Sequence, residues 1–193
     1  MMNKDNSIAA DKVGAEVAKT SGVDSSAGAK GYFTVKCHDK DGNLKWEEVS
    51  PNLVVNVGLQ DMNTKYFTGS TYSAAWYLGL ITGPGASNTY AAGDTLASHS
   101  LWTEFTNYSG TRKACTFGTA TTANPSVISN TSSAAVFSIT SSGGTVAGAF
   151  LCSVTSGTSG TLFSESNFSS PGDRAVVSGD TLTVTYTFSL TAT

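Results

Sequence analysis

Near its end the chain alternates with almost no exception. Leu182, Val184, Tyr186, Phe188 and Leu190 take the even positions, and Thr181, Thr183, Thr185, Thr187, Ser189 and Thr191 take the odd ones. Successive side chains of a β-strand point to opposite faces, so this pattern makes one apolar face and one hydroxyl face. A helix would scatter the same residues around its circumference. The β-branched threonines favour a pleated chain and keep the outer face wet. Ser178-Gly179-Asp180 is the turn that launches the strand. Burying the five apolar side chains contributes roughly 1.5–3 kcal/mol each before entropy is counted. That gain needs an opposing apolar surface, which the rest of the chain must supply.

Other segments carry the same period. Tyr32 to Cys37 and Leu44 to Val49 alternate around Asp39-Lys40-Asp41-Gly42-Asn43, which spells a β-hairpin. The turn shares a few residues with a calcium loop, but its flanks are strands and the remaining ligands of an EF-hand are missing. Ala74 to Thr82 is a continuous apolar run, expected to be a central strand covered on both faces. Segments 102–108 and 112–117 are expected to return to the sheet. So are 134–140, 145–154 as the partner strand of 134–140, 161–164 and 174–177. Asp94 to His99 is expected to form one helical turn capped by Asp94. The period changes only after Asn56. Leu59, Met62 and Tyr66 are spaced three and four apart, which predicts a helix over 57–67, with Asn56 as its N-cap and its aromatic end in the core. The expected fold is mainly β: a jelly-roll-like antiparallel β-sandwich over 32–193 with one short helix and an extended N-terminal arm.

Residues 1–31 are a different material. Met1 to Ala29 contain no aromatic residue. Val13 and Val17, with Ala9, Ala10 and Ala18 nearby, admit a short helix over 7–19, and Ser21 to Lys30 reads as a linker. Two readings fit this composition: a tail, or an arm that orders on a partner. In the second reading Ile8, Val13 and Val17 pack on the partner while Lys4, Lys12 and Lys19 meet acidic groups. The loop 83–93 is a second candidate contact surface, through Pro84, Asn88 and Tyr90.

Charge narrows the function. Only 13% of residues are charged, against about 25% in average globular chains. Beyond residue 65 there are eight charges in all. Such a Ser- and Thr-rich surface fits a plain β-sandwich, the reading that composition alone favours. It also fits a protein that packs into an assembly, because hydroxyls hydrogen-bond to a neighbour without a heavy desolvation cost. The net charge is −3 and no basic stripe is present, so nucleic acid is not an expected partner. No apolar run approaches the ~18–20 residues of a membrane span, and residues 1–11 lack the apolar core of a signal peptide. Synthesis in the cytoplasm without export is expected. Cys37, Cys115 and Cys152 are expected to be buried, reduced thiols.

Catalytic signatures are weak. His38 and His99 stand at no metal-ligand spacing, and Ser98 beside His99 in sequence is no nucleophile–base pair. Glu47, Glu48, Glu104 and Glu165 are the only glutamates after residue 31 and the raw material for a glycosidase pair. Glu47 and Glu48, as strand neighbours, should face opposite ways. Trp46, Trp76 and Trp102 are candidates for stacking on sugars, though each lies in or beside a strand and is expected in the core. Neither an enzyme nor a cofactor site is expected.

Within 52–81, Asn52-Leu-Val-Val55, Gly58-Leu59, Lys65-Tyr-Phe67, Gly69-Ser70 and Ala75-Trp-Tyr77 followed by Gly79-Leu80 resemble small virion proteins of tailed bacteriophages. The hairpin before this stretch, Gly93-Asp94-Thr95 with Ala97-Ser98-His99 and Trp102-Thr-Glu104 after it, and the closing segment 173–182 extend the resemblance over roughly 32–193. It implies a structural component of the particle. Capsid decoration (cement) proteins are the most similar subgroup. For them it implies a homo-oligomer, most often a trimer, bound to the major capsid protein on the outer head surface. A tail or fibre module that binds host-surface glycans is the alternative.

Overall fold

The computed structural model describes residues 26–68, 75–99, 101–140, 142–168 and 172–192. The arm candidates Lys4, Ile8, Lys12, Val13, Val17 and Lys19 lie outside these residues.

The alternating end of the chain is β12 (Thr181–Ala192), and it organises one of two antiparallel sheets. Along one edge it pairs with β1 (Ala27–His38) over its whole length, from Ala27 opposite Ala192 to His38 opposite Thr181. β2 (Leu44–Pro51) adds the outer strand through the expected hairpin. The Asp39 carboxylate closes that turn by accepting the Asp41 and Asn43 N–H groups at 2.9 Å each. The other edge of β12 is shared by β7 (Ser126–Ser129) on residues 187–190 and β8 (Ala135–Ser138) on residues 181–184.

The second sheet runs β3 (Leu53–Val54), β10 (Leu162–Asn167), β9 (Gly144–Cys152), β4 (Tyr77–Thr82), β5 (Glu104–Phe105). β11 (Arg174–Val176) also pairs with β9, and β6 (Lys113–Ala114) with β4. The inner faces of the two sheets meet in one core, where Phe33, Val35, Leu182, Val184 and Tyr186 oppose Leu78, Leu80, Ala149 and Leu151. The fold is thus the two-sheet antiparallel sandwich that the periodicity requires.

The second sheet is buried on its other face too. Phe150 and Cys152 of β9 point outward with Ile81, and Leu96 and Trp102 from the long segment after β4 cover them. This is why β4 and β9 read as continuous apolar runs while β12 alternates. Gly79 sits directly opposite Phe150, whose ring lies where a β-carbon at Gly79 would stand.

Several expectations change. β1 begins at Ala27, so residues 27–31 belong to the sheet rather than to the arm, held by pairing with 188–192. Segment 145–154 does form a strand but does not pair with β8; the turn between them crosses from one sheet to the other. Asp94 to His99 closes as a tight turn, with Thr95 bridging Ser98, instead of a helical turn. β7, with only Val127 and Ile128 as apolar residues, carries no strand pattern of its own.

The helix α1 (Asn56–Phe67) forms where expected, but Asn56 is inside it and Val55 is the N-cap, without a side-chain bond. Its aromatic end is not core: Tyr66 is 82% and Phe67 76% exposed. The helix meets the sandwich most closely at Gly58, its one buried residue, with Val57 and Met62 packed beside it. A β-carbon there would meet the Phe163 carbonyl oxygen at 2.6 Å, so only glycine lets the helix lie this close to β10.

Candidate functional site

The inner face of β1 thins toward its start. Cys37, Val35 and Phe33 are followed by Gly31, Ala29 and Ala27, and their partners on β12 are Phe188, Leu190 and Ala192. Beside Gly31 the space is filled by Asn52 and the Tyr186 hydroxyl. At the strand's start, where Ala27 is the one β1 residue in the lining, a cavity of about 850 Å³ opens between the sheets. Phe163, Tyr186 and Phe188 line it from the core, Trp76 and Phe117 from the flanking loops, and Met62 with Tyr66 and Phe67 from α1. Trp76 packs edge-on against Phe163, with centroids 5.3 Å apart, and Phe163 against Phe188 at 5.4 Å. The Tyr66 and Phe67 rings meet edge-to-face at 4.9 Å on the rim. The groove is a continuation of the hydrophobic core that reaches solvent.

One polar cluster stands beside the groove. Tyr186 is fully buried, and its hydroxyl lies 2.9 Å from Asn52 Nδ2 and 3.2 Å from Ser164 Oγ. Its backbone N–H has no strand to pair with, because β7 and β8 leave a gap at this point. Asn130 fills the gap. Its Oδ1 accepts the Tyr186 N–H at 2.7 Å, and its own N–H donates to the Tyr186 carbonyl at 3.3 Å.

The second feature lies under the outer layer. Glu165 on β10 is fully buried and accepts the Trp102 indole N–H at 2.8 Å, while its Oε1 has no hydrogen-bond partner. Burial pushes its carboxyl up to about 8, against the Trp102 bond and with help from the nearby Asp94 charge. The group is therefore largely neutral at pH 7. Asp94 accepts the Ala91 N–H at 3.1 Å, and His99 stacks on Trp102 with centroids 3.7 Å apart. These contacts fasten the segment between β4 and β5 to the sheet.

The loop candidates belong to this layer. Pro84 is exposed, whereas Asn88 and Tyr90 are half-buried. Asn88 Nδ2 donates to the Thr82 carbonyl at 3.1 Å, and the Tyr90 hydroxyl lies 3.4 Å from Asn167 Oδ1. Asn88 and Tyr90 thus hold the loop in place, and Pro84 is the member that presents itself to solvent.

The other candidates are dispersed. Glu47 faces Lys36 on the surface at 3.3 Å, while Glu48 points inward to Arg174 at 2.8 Å, the opposite orientation expected of strand neighbours. Glu104 receives both Nε and Nη2 of Arg112, at 2.9 and 2.7 Å. Each of the four glutamates has its own partner on a different part of the molecule. Trp102 is buried, and Trp46 and Trp76 are half-buried against the core. The three cysteines are free and buried, and burial pushes the Cys37 and Cys115 thiols up to about 12. Among the described residues no group of histidine, cysteine and carboxylate side chains is arranged to hold a metal ion, and no helix is long and apolar enough to cross a membrane.

Sequence reasoning placed Met62 and the tryptophans but missed the groove itself. The groove's lining comes from α1, both sheets and two loops, with Ala27 as the one β1 residue, and no local pattern marks such a set. Compared with known protein families, curated proteins and solved structures, the chain matches none.

Proposed function

We propose that this chain is a non-enzymatic virion structural protein, a capsid decoration protein that docks on the outer surface of a phage head and stabilises it. The observation that supports this reading best is the aromatic groove at the open end of the sandwich, with Tyr66 and Phe67 exposed on its rim. Large apolar patches of this kind mark surfaces where another protein sits. The N-terminal arm issues from the same end, since Ala27 lines the groove. Groove, rim and arm together make one extended contact surface for the major capsid protein. A homotrimer suits this role, because threefold symmetry lets each subunit use the same contact at a threefold position of the lattice.

Immunogold labelling of intact particles with an antibody against the sandwich tests the reading. Label on the head surface is the expected result. Label on the tail moves the chain to the glycan-binding fibre alternative, and its absence from particles ends the virion reading. Replacing Tyr66 and Phe67 together with serine is expected to leave the fold intact and weaken head binding. Sedimentation of the free protein as a monomer at micromolar concentration would remove the trimer.

A further inference from the structure

The groove lies where the chain enters the sandwich. Its walls are almost wholly apolar, and Ala27, the first residue of β1, forms part of its lining. The described chain therefore begins at that mouth. We propose that the groove is the seat of the chain's own N-terminal segment, with Ala9, Ala10, Val13 and Val17 packed in cis against its aromatic floor.

Reach allows it. The ten residues from Val17 to Ala27 span up to roughly 33–36 Å when extended, about twice the ~15 Å radius of gyration of a domain this size. Chemistry matches as well. On a helix, Ala9, Ala10, Val13 and Val17 fall on one face. Small side chains there let the helix backbone approach the broad rings of Phe163, Tyr186 and Phe188. Glu16, Lys12 and Lys19 fall together along one edge of that face, and the groove's lining carries charge of both signs in Asp61 and Lys65. Tethering selects the occupant. A segment tethered within reach on the same chain experiences an effective concentration of roughly millimolar, so it outcompetes the same segment of a second copy at ordinary protein concentrations. The inference rests on the groove and on where the chain enters it, and it holds whether or not the protein belongs to a virion. Its consequence is a covered groove in the free protein, opened when a partner takes the arm.

Hydrogen exchange on the full-length chain tests it, read by mass spectrometry on peptides covering 9–17. Exchange at least roughly tenfold slower than in an unstructured peptide is expected. The protection should vanish in the double variant Val13→Asp/Val17→Asp and in the rim variant Phe67→Asp, and both should bind the dye ANS several-fold more strongly than the natural chain. Strand β9 peptides report whether each variant is folded; a variant that unfolds is replaced by Leu190→Asp on the opposite wall. Unprotected 9–17 in the natural chain overturns the proposal. So does protection that survives the groove variants. Protection lost on dilution from roughly 100 µM to 1 µM would assign the groove to a second copy's arm. An apolar small molecule found by native mass spectrometry, with 9–17 unprotected, would assign it to that ligand.

Discussion

The two ends of β12 carry the same alternation and meet different fates. At its start, Leu182 and Val184 oppose Cys37 and Val35 of β1, and all four are fully buried. Toward its end, Phe188 opposes Gly31 and Leu190 opposes Ala29, and Leu190 is 40% exposed. The period of a strand decides which way a side chain points, but what packs over it from other elements decides whether it is covered. Phe188, opposite Gly31, is still buried because Phe163 packs on it at 5.4 Å, and Leu190 has no such cover. One end is therefore a closed core and the other a groove, built on a single strand.

The sharpest way to break this comparison is at Tyr186, where the two ends join. Tyr186→Ala should cost about 3–5 kcal/mol, because it removes a fully buried ring and leaves Asn52 and Ser164 facing an empty site. A shifted guanidinium midpoint would measure it. If the loss is small, the closed end does not extend to Tyr186.

Asn130 is the seam between β7, which serves the open end, and β8, which serves the closed one. Asn130→Ala should cost about 1–3 kcal/mol, since it strands the Tyr186 N–H in the interior. Equal cost from Asn130→Asp would show that the side-chain oxygen alone is not what bridges the gap. Amide exchange at Tyr186 should rise with the loss.

A test that leaves β12 untouched uses Glu165, which follows Ser164 on β10 and faces the opposite side of that sheet. Its carboxyl titrates near 8 in the folded chain and near 4.3 when unfolded, so between these values the folded state binds the extra proton. Its contribution to stability is full below about pH 4.3, falls as pH rises toward 8 by up to about 1.4 kcal/mol per pH unit, and is level above. In Glu165→Gln this slope should disappear from a series of denaturant melts. The groove should be unaffected, because Glu165 belongs to the outer layer.

Leu190→Ala should have the smallest effect, within about 0.5 kcal/mol, as for other partly exposed positions. Thr185→Ala, on the hydroxyl face, should be similarly mild. A loss of several kcal/mol at Leu190 would mean that the end of β12 is packed as tightly as its start, and would break the comparison.

How far the sequence reaches depends on the range of each signal. The hairpin, β12 and α1 are legible because their periods repeat over many residues, and the inward and outward glutamates of β2 follow from the same rule. Gly58 was legible in principle, since glycine in mid-helix costs about 1 kcal/mol relative to alanine and its retention implies a close approach. β7 was not, because two apolar residues among serines have no period. Asn88 and Tyr90 look like contact residues in a Gly-rich loop and prove to be its fasteners, because hydrogen bonds to Thr82 and Asn167 depend on strands far away in the chain.

By itself the sequence determined a two-sheet antiparallel sandwich with one helix, since alternation and spacing sustained over many residues are local properties of the chain. The tertiary structure alone decided which strands share a sheet, that the second sheet is covered twice, and that α1 turns its aromatic end outward. It also decided that the sandwich stays open beside Ala27 and Leu190. Each of these depends on the volumes of residues that meet from distant parts of the chain, and a one-dimensional pattern does not contain that information.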